Sequence, residues 1–116
     1  MQFNNDRPIY LQLADRLADD IVAGTYADDD RVPSVREFAV QAEVNVNTAV
    51  KAFDQLAREE IIYNRRGLGY FVAPGARGRI VAARRAHFMS EVLPGLFRQM
   101  RLLGIGIDEV AERFAK

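Results

Sequence analysis

Three polar residues, Asn45, Asn47 and Thr48, stand at the start of a predicted helix in the stretch VPSVREFAVQAEVNVNTAVKAFDQLAREE, residues 32–60. An asparagine amide can form two hydrogen bonds with the edge of a base, and threonine can contact a base or a phosphate. Lys51 follows one turn later, where its ammonium group can neutralise a phosphate. These residue types at a helix start predict a surface that contacts nucleic acid.

A helix cap explains only part of this pattern. Asn45 suits the N-cap position, which leaves Asn47 and Thr48 without a role. On a helical wheel of residues 46–58, the apolar residues share one arc and the polar residues occupy the opposite side: Asn47, Thr48, Lys51, Asp54, Gln55 and Arg58. Most polar helix faces are simply solvated, but the residue types here favour contacts with bases.

Two short helices with a tight connection position these side chains. Ser34 and Glu37 form a capping box that opens a helix over about 35–42. After a turn at Glu43 and Val44, the helical pattern resumes and continues to about residue 59. An earlier helix, roughly 8–24, has Pro8 in its first turn and ends at Gly24. The polar run ADDDR that follows is interpreted as a turn.

The next stretch, IIYNRRGLGYFVA, contains two β-rich runs around a glycine-bearing tip, which predicts a hairpin that ends at Pro74 and Gly75. A helix-turn-helix followed by a hairpin is the winged-helix arrangement. The predicted fold class is therefore α+β: a winged helix-turn-helix with three helices and a β-hairpin wing over residues 1–75, then a short C-terminal helical dimerisation segment over residues 76–116.

The composition narrows the classes of function. The net charge is zero, but it divides into −5 for residues 1–30, +1 for residues 31–74 and +4 for residues 75–116. A phosphate-binding surface needs only a local positive patch, so a net charge of zero does not exclude DNA binding. The absence of cysteine excludes disulfides and thiolate zinc sites. Without an apolar membrane span or a signal-peptide pattern, we expect a cytoplasmic protein that does not bind membranes.

The C-terminal 40 residues contain more apolar side chains than a short helix pair can bury. Pro94 and Gly95 lie inside the helical pattern, which predicts a kink or break there. The segment IDEVAERFAK is predicted to form a last helix. A second copy of the chain would cover the apolar surface; packing onto the winged helix is the alternative. The predicted dimer-interface residues are Phe88, Val92, Leu96, Phe97, Met100, Leu103, Val110 and Phe114.

The motifs PSVRE, VNVNTAVKAFDQL and IIYNRRGLGYFV together give residues 8–73 a dense similarity to one known family. The sequence resembles the DNA-binding domain of the GntR family of bacterial transcriptional regulators. The short tail resembles the YtrA-type subfamily, in which two C-terminal helices form a dimer. The resemblance implies a dimeric repressor on a palindromic operator.

The resemblance and the residue types together define a set of expected DNA contacts. Arg36 of PSVRE is expected near the DNA backbone, with Ser34 beside it, and the wing is expected to reach the minor groove or its phosphates. Val46 stands where some members of the family have a basic residue, so an apolar contact with a thymine methyl is expected there. The predicted DNA-binding residues are Ser34, Arg36, Asn45, Val46, Asn47, Thr48, Lys51, Arg65, Arg66, Gly67 and Gly69.

Three positions depart from the family pattern. Glu43 and Glu60 replace residues that are usually glycine, and DDD replaces a usual Pro-Gly pair before Arg31. If either glutamate must adopt left-handed backbone geometry, it costs on the order of 1 kcal/mol relative to glycine. This cost is expected to affect stability more than DNA recognition.

Other classes of function have less support. No catalytic constellation, metal motif or nucleotide loop is present, so neither enzymatic activity nor a cofactor is expected. His87 is the only histidine and is expected to be structural or exposed. The alternative function is a winged-helix protein-interaction module without sequence-specific DNA binding. A sensor that binds a small-molecule effector at a dimer interface also stays open, as does activation instead of repression.

Overall fold

The computed structural model describes residues 3–116 of the chain. The elements, in chain order, are α1 (Ile9–Val22), α2 (Val35–Ala42), α3 (Val46–Arg58), β1 (Ile62–Arg65), β2 (Gly69–Val72), α4 (Ala76–His87), a π-helical turn (Phe88–Val92), α5 (Leu93–Leu103) and α6 (Ile107–Phe114). The chain divides into two compact units; the first ends at Val81 and the second comprises Ala82–Lys116.

Helix α1 is slightly shorter than its sequence pattern indicates. Pro8 is the N-cap rather than a residue of the first turn, because its ψ of 142° is not helical. At the other end the helix stops at Val22, and Gly24 adopts a positive φ of 89°. Of the apolar residues at helical spacing, Leu13, Leu17 and Ile21 lie buried in the core.

The starts of α2 and α3 are fixed by local hydrogen bonds, as predicted. The Glu37 backbone N–H donates to the Ser34 hydroxyl at 3.1 Å, and the Ser34 N–H donates to the Glu37 carboxylate at 3.1 Å. These two Ser34 contacts lower the pKa of Glu37. Asn45 caps α3 by accepting a hydrogen bond from the Asn47 N–H at 2.8 Å.

The core of the first unit is entirely apolar; among residues 3–116, no polar or charged side chain is buried. Phe53 of α3 is 1% exposed and lies at its centre. Its ring is 5.7 Å from that of Phe38 and 5.1 Å, edge to face, from that of Tyr70. These aromatic contacts join α3 to α2 and to the hairpin, so the core fixes the orientation of α3.

The hairpin has the predicted position and an additional neighbour. Strands β1 and β2 pair antiparallel, with Tyr63 opposite Phe71 and Arg65 opposite Gly69. The segment interpreted as a polar turn also pairs with β2. The Asp29 N–H donates to the Val72 carbonyl at 2.8 Å, and the Val32 N–H donates to the Tyr70 carbonyl at 3.0 Å.

The first compact unit extends beyond the predicted boundary at residue 75. Ala76 and Ile80 of α4 are buried in the same core as α1 and α3. The Arg79 guanidinium also donates to the carbonyls of Glu60 and Pro74. Arg77 donates to the Val22 carbonyl at 3.1 Å. The start of α4 is thus part of the winged-helix unit, because both its apolar and its basic side chains contact that unit.

The sequence predicts a kink or break at Pro94, but the second unit has a different irregularity there. The backbone remains helical from α4 into α5, with φ −61° and ψ −44° at Leu93. The irregularity is the π-helical turn Phe88–Val92, which immediately precedes the proline. Because proline lacks an N–H, the helix loses one α-helical hydrogen bond in this region, and a wider turn accommodates that loss. Gly104, in left-handed geometry, then ends α5.

Three acidic residues adopt left-handed backbone geometry: Asp29, Glu43 and Glu60, with φ of 65°, 58° and 61°. All three lie at the departures from the family pattern. The condition for the expected cost at Glu43 and Glu60, left-handed geometry, is therefore met.

Replacing Glu60 by glycine is expected to raise the free energy of unfolding by about 0.5 to 1 kcal/mol, because relief of left-handed strain exceeds glycine's added unfolded-state entropy. Glu59→Gly is the matched control, since Glu59 has a φ of −81°. The control should lower stability. Chemical denaturation measures both changes, and equal shifts of the two midpoints would contradict the expectation.

Candidate nucleic-acid interface

The N-terminal part of α3 presents an exposed surface, which we call the recognition face: Asn45, Val46, Asn47, Val50 and Lys51. The Asn45 side-chain oxygen is occupied by the cap, which leaves its NH₂ group for other contacts. The Asn47 side chain is exposed, and only its backbone N–H takes part in the cap. The geometry therefore leaves the Asn47 amide available for a base edge.

Two residues of α3 differ from their sequence interpretation. Thr48 is half-buried rather than fully outward, since it lies next to the buried Ala49. Val50 fits the apolar arc of the helical wheel, yet it is 40% exposed, close to the 39% of Val46. The core is filled by Ala49, Ala52 and Phe53 instead, so Val50 lies at the edge of the apolar arc. Sequence analysis missed Val50 as a surface residue.

At the start of α2, Ser34 and Arg36 have different surroundings. The Ser34 hydroxyl accepts the capping hydrogen bond from the Glu37 N–H, although its own proton is free to be donated. Arg36 is exposed.

The wing has a well-defined outer face. Tyr63 stacks on Phe71 with ring centroids 5.8 Å apart, and the Arg65 guanidinium lies 5.3 Å from the centre of the Phe71 ring. The Tyr63 hydroxyl donates to the Asp29 carboxylate at 2.7 Å, which raises the pKa of Tyr63. Arg65 is thus held along the strand by a cation–π contact. Arg66, in the exposed turn, has no such contact with a ring among the described residues.

Arg31 supports the wing, a role that sequence analysis did not assign. Its Nε–H donates to the Leu68 carbonyl at 3.1 Å, and residue 31 forms a β-bridge with Phe71. A Cβ atom on Gly69 would lie 3.3 Å from Arg31 Nε, and Gly69 has a φ of 106°. Glycine is therefore required at residue 69 for the backbone and for this close approach. No short motif indicates this contact, because it joins residues that are 37 positions apart.

Most of the predicted dimer-interface residues are at least partly accessible in the second unit. Leu96 is 42% exposed and Phe114 92% exposed, whereas Met100 is buried at 7%. Phe97 and Val110 are half-buried. Large apolar residues outside the predicted set, Met89, Leu102 and Ile107, are exposed as well. An open groove of about 320 Å³ is lined by Phe97, Met100, Arg101, Ile105 and Ile107.

Residues 3–116 show neither a metal-binding cluster nor a membrane-spanning helix. No group of three or more histidine, cysteine, aspartate or glutamate side chains in this range could hold a metal ion. In the same range, no helix has the length and apolar character needed to span a membrane.

Residues 9–72 match the family described as bacterial regulatory proteins, gntR family. Among curated relatives, the HTH-type transcriptional regulator YhcF of Bacillus subtilis is 39% identical over 111 residues, covering 96% of this chain and 90% of YhcF. The HTH-type transcriptional repressor YtrA of the same organism is 30% identical over 105 residues, covering 90% of this chain and 80% of YtrA.

Solved structures show the same similarity. A regulator of the GntR family from Bacteroides thetaiotaomicron superposes with a TM-score of 0.80 at 44% identity, covering 93% of this chain and 94% of that one. The DNA-binding domain of AraR in complex with operator ORX1 superposes with a TM-score of 0.58 at 27% identity, covering 62% of this chain and 93% of that domain. The Bacteroides regulator, which covers nearly the whole chain, confirms the predicted α+β winged helix with a C-terminal helical segment.

Proposed function

Because the chain belongs to the GntR family of bacterial regulatory proteins, we propose that it is a repressor that binds a palindromic operator as a homodimer. The chain is a transcriptional regulator with a DNA-binding helix-turn-helix, and its relatives are regulators rather than enzymes. The observation that carries the finer proposal is the recognition face, where Asn47 and Lys51 are exposed together on a helix anchored by Phe53.

The recognition face supplies the base contacts in this proposal. Asn47 pairs with an adenine edge in the major groove, Lys51 neutralises a phosphate, and Asn45 and Thr48 add contacts at the groove wall. Ser34 and Arg36 contact the DNA backbone. At the wing, Arg65 and Arg66 contact phosphates or the minor groove, and the glycines at 67 and 69 allow the backbone to approach closely.

The second unit supplies the dimer interface in this proposal. A second copy of the chain would bury the exposed apolar residues of this unit. The symmetric pair would also present two recognition helices, one for each half of an inverted repeat. Repression is supported by the similarity to YtrA, which is an HTH-type transcriptional repressor. A dimer bound to a promoter would also block access by the transcription machinery. Such a role places the protein in the cytoplasm, with an unidentified small molecule as a further partner.

The proposal is tested by selection of purified protein against random duplexes at physiological salt, followed by sequencing. Enrichment of an inverted repeat, together with reduced transcription from a promoter that carries it, is the expected result. Binding that is weak, abolished by salt and indifferent to sequence would overturn the operator proposal and favour a protein-interaction module.

Removal of the wing-tip charge should weaken binding to all DNA sequences alike. Arg66→Ala is expected to lower affinity for operator and random duplex by a similar factor, and to reduce the slope of log K against log salt by about 1 per half-site. Fluorescence anisotropy at several salt concentrations measures this slope. Arg16→Ala on the exposed side of α1 is the matched control and should leave it unchanged. An unchanged slope in Arg66→Ala would remove the wing tip from the interface.

A further inference from the structure

Two exposed valines lie one turn apart on α3. Val46 is 39% exposed and Val50 is 40% exposed. Valine at a solvated helix position loses side-chain freedom without gaining burial, so alanine, lysine or glutamate would be better there. A single exposed valine needs no explanation. Two such residues at i and i+4 form a continuous apolar strip, and here the strip lies within the recognition face.

We infer that Val46 and Val50 together recognise the 5-methyl groups of thymine in each operator half-site, with Val50 as a specificity-determining residue. The inference rests on the proposed function and adds the chemistry of the sequence that is bound. In the major groove, only thymine among the four bases presents a methyl group. Covering that methyl group with an apolar strip buries apolar surface and favours binding. Covering cytosine or guanine with the same strip leaves polar groups on the base edge without a hydrogen-bond partner, which disfavours binding.

The helical spacing fits two neighbouring contacts. Four residues of α-helix rise about 6 Å, and two base-pair steps span about 7 Å. The valines can therefore reach methyl groups one or two steps apart in the same half-site. Asn47 and Lys51 each directly follow one of the valines in sequence. The apolar, base-pairing and phosphate contacts thus come from the same two turns of α3.

The experiment uses the full chain and the operator obtained by selection, in which each thymine is replaced in turn by deoxyuridine. This replacement removes the methyl group and leaves base pairing intact. At one thymine position, the wild type should lose about fourfold in affinity per half-site, the equivalent of one buried methyl group. Val50→Ala should bind the thymine and deoxyuridine operators equally well at that position.

The matched control is Val40→Ala, which truncates a valine that is 77% exposed on α2. This variant should keep the wild-type response to deoxyuridine. Folding is not at issue for Val50→Ala, because the residue is partly exposed and alanine favours helix. Circular dichroism verifies this directly.

The possible failures are distinguishable. If the wild type selects an operator but no deoxyuridine replacement weakens binding, or if Val50→Ala stays as sensitive as the wild type, the inference is overturned while the proposed function stands. If the wild type selects no operator, the proposed function fails and the inference fails with it.

Discussion

Replacing Leu96 by glutamate is expected to convert the proposed dimer into a monomer and to weaken operator binding by about 10²- to 10⁴-fold. Leu96 is 42% exposed on α5, and it shares a helix face with Leu103. A carboxylate at the centre of an apolar interface would lose its hydration without gaining a partner. The large factor arises because a monomer binds one half-site and forfeits the effective concentration of the second.

Sedimentation and anisotropy on full and half operators measure the two parts of this result. Leu102→Glu is the matched control, because Leu102 is 87% exposed on α5 but points roughly 120° away from Leu96 on a helical wheel. The control should remain dimeric. A Leu96→Glu protein that stays dimeric would contradict the assigned interface, and so would a monomeric wild type.

Replacing Asn47 by alanine is expected to remove most of the preference for the operator over random DNA. Loss of one bidentate contact with adenine costs about 1 to 3 kcal/mol per half-site, so a dimer loses this amount twice. Affinity for random duplex should change little, because phosphate contacts supply it. The α3 cap should survive, since the Asn47 backbone N–H, and not its side chain, bonds to Asn45.

Competition binding with operator and random duplexes measures the specificity ratio. Asn64→Ala removes the same amide from an exposed position on β1 and should leave the ratio unchanged. Equal losses of affinity for both kinds of duplex would show that Asn47 contributes to general DNA affinity and makes no base-specific contact. An unchanged ratio in Asn47→Ala would move the base contacts to another part of α3.

The elements fixed by local chemistry could be predicted from sequence. The capping box at Ser34 and the cap at Asn45 both involve neighbouring residues. Their signals lie within a few positions, and the order of helices and hairpin followed from them. The family match of residues 9–72 agrees with this prediction for the winged helix.

The features that could not be predicted depend on distant contacts. Arg31 supports the wing through Leu68, and no short motif records that pairing. The burial of Ile80 moves the end of the first unit into α4, although the preceding Pro74 and Gly75 look like a boundary. Val50 has an apolar side chain, so a helical wheel places it inward. Only the packing of Phe53 and its neighbours shows that the core is already full.

The π-helical turn before Pro94 affects which changes of chain length the tail can tolerate. A π-helical turn closes its hydrogen bond over one residue more than an α-helical turn. A one-residue deletion between Phe88 and Val92 could therefore be absorbed as regular helix, without breaking the chain's path. Because the deleted residue is the one by which a π-helical turn exceeds an α-helical turn, α5 would keep nearly the same rotation relative to Ala82–His87. Related chains that lack one residue here would keep a helical tail and present nearly the same side of α5, so this turn is the place where the tail tolerates a change of length.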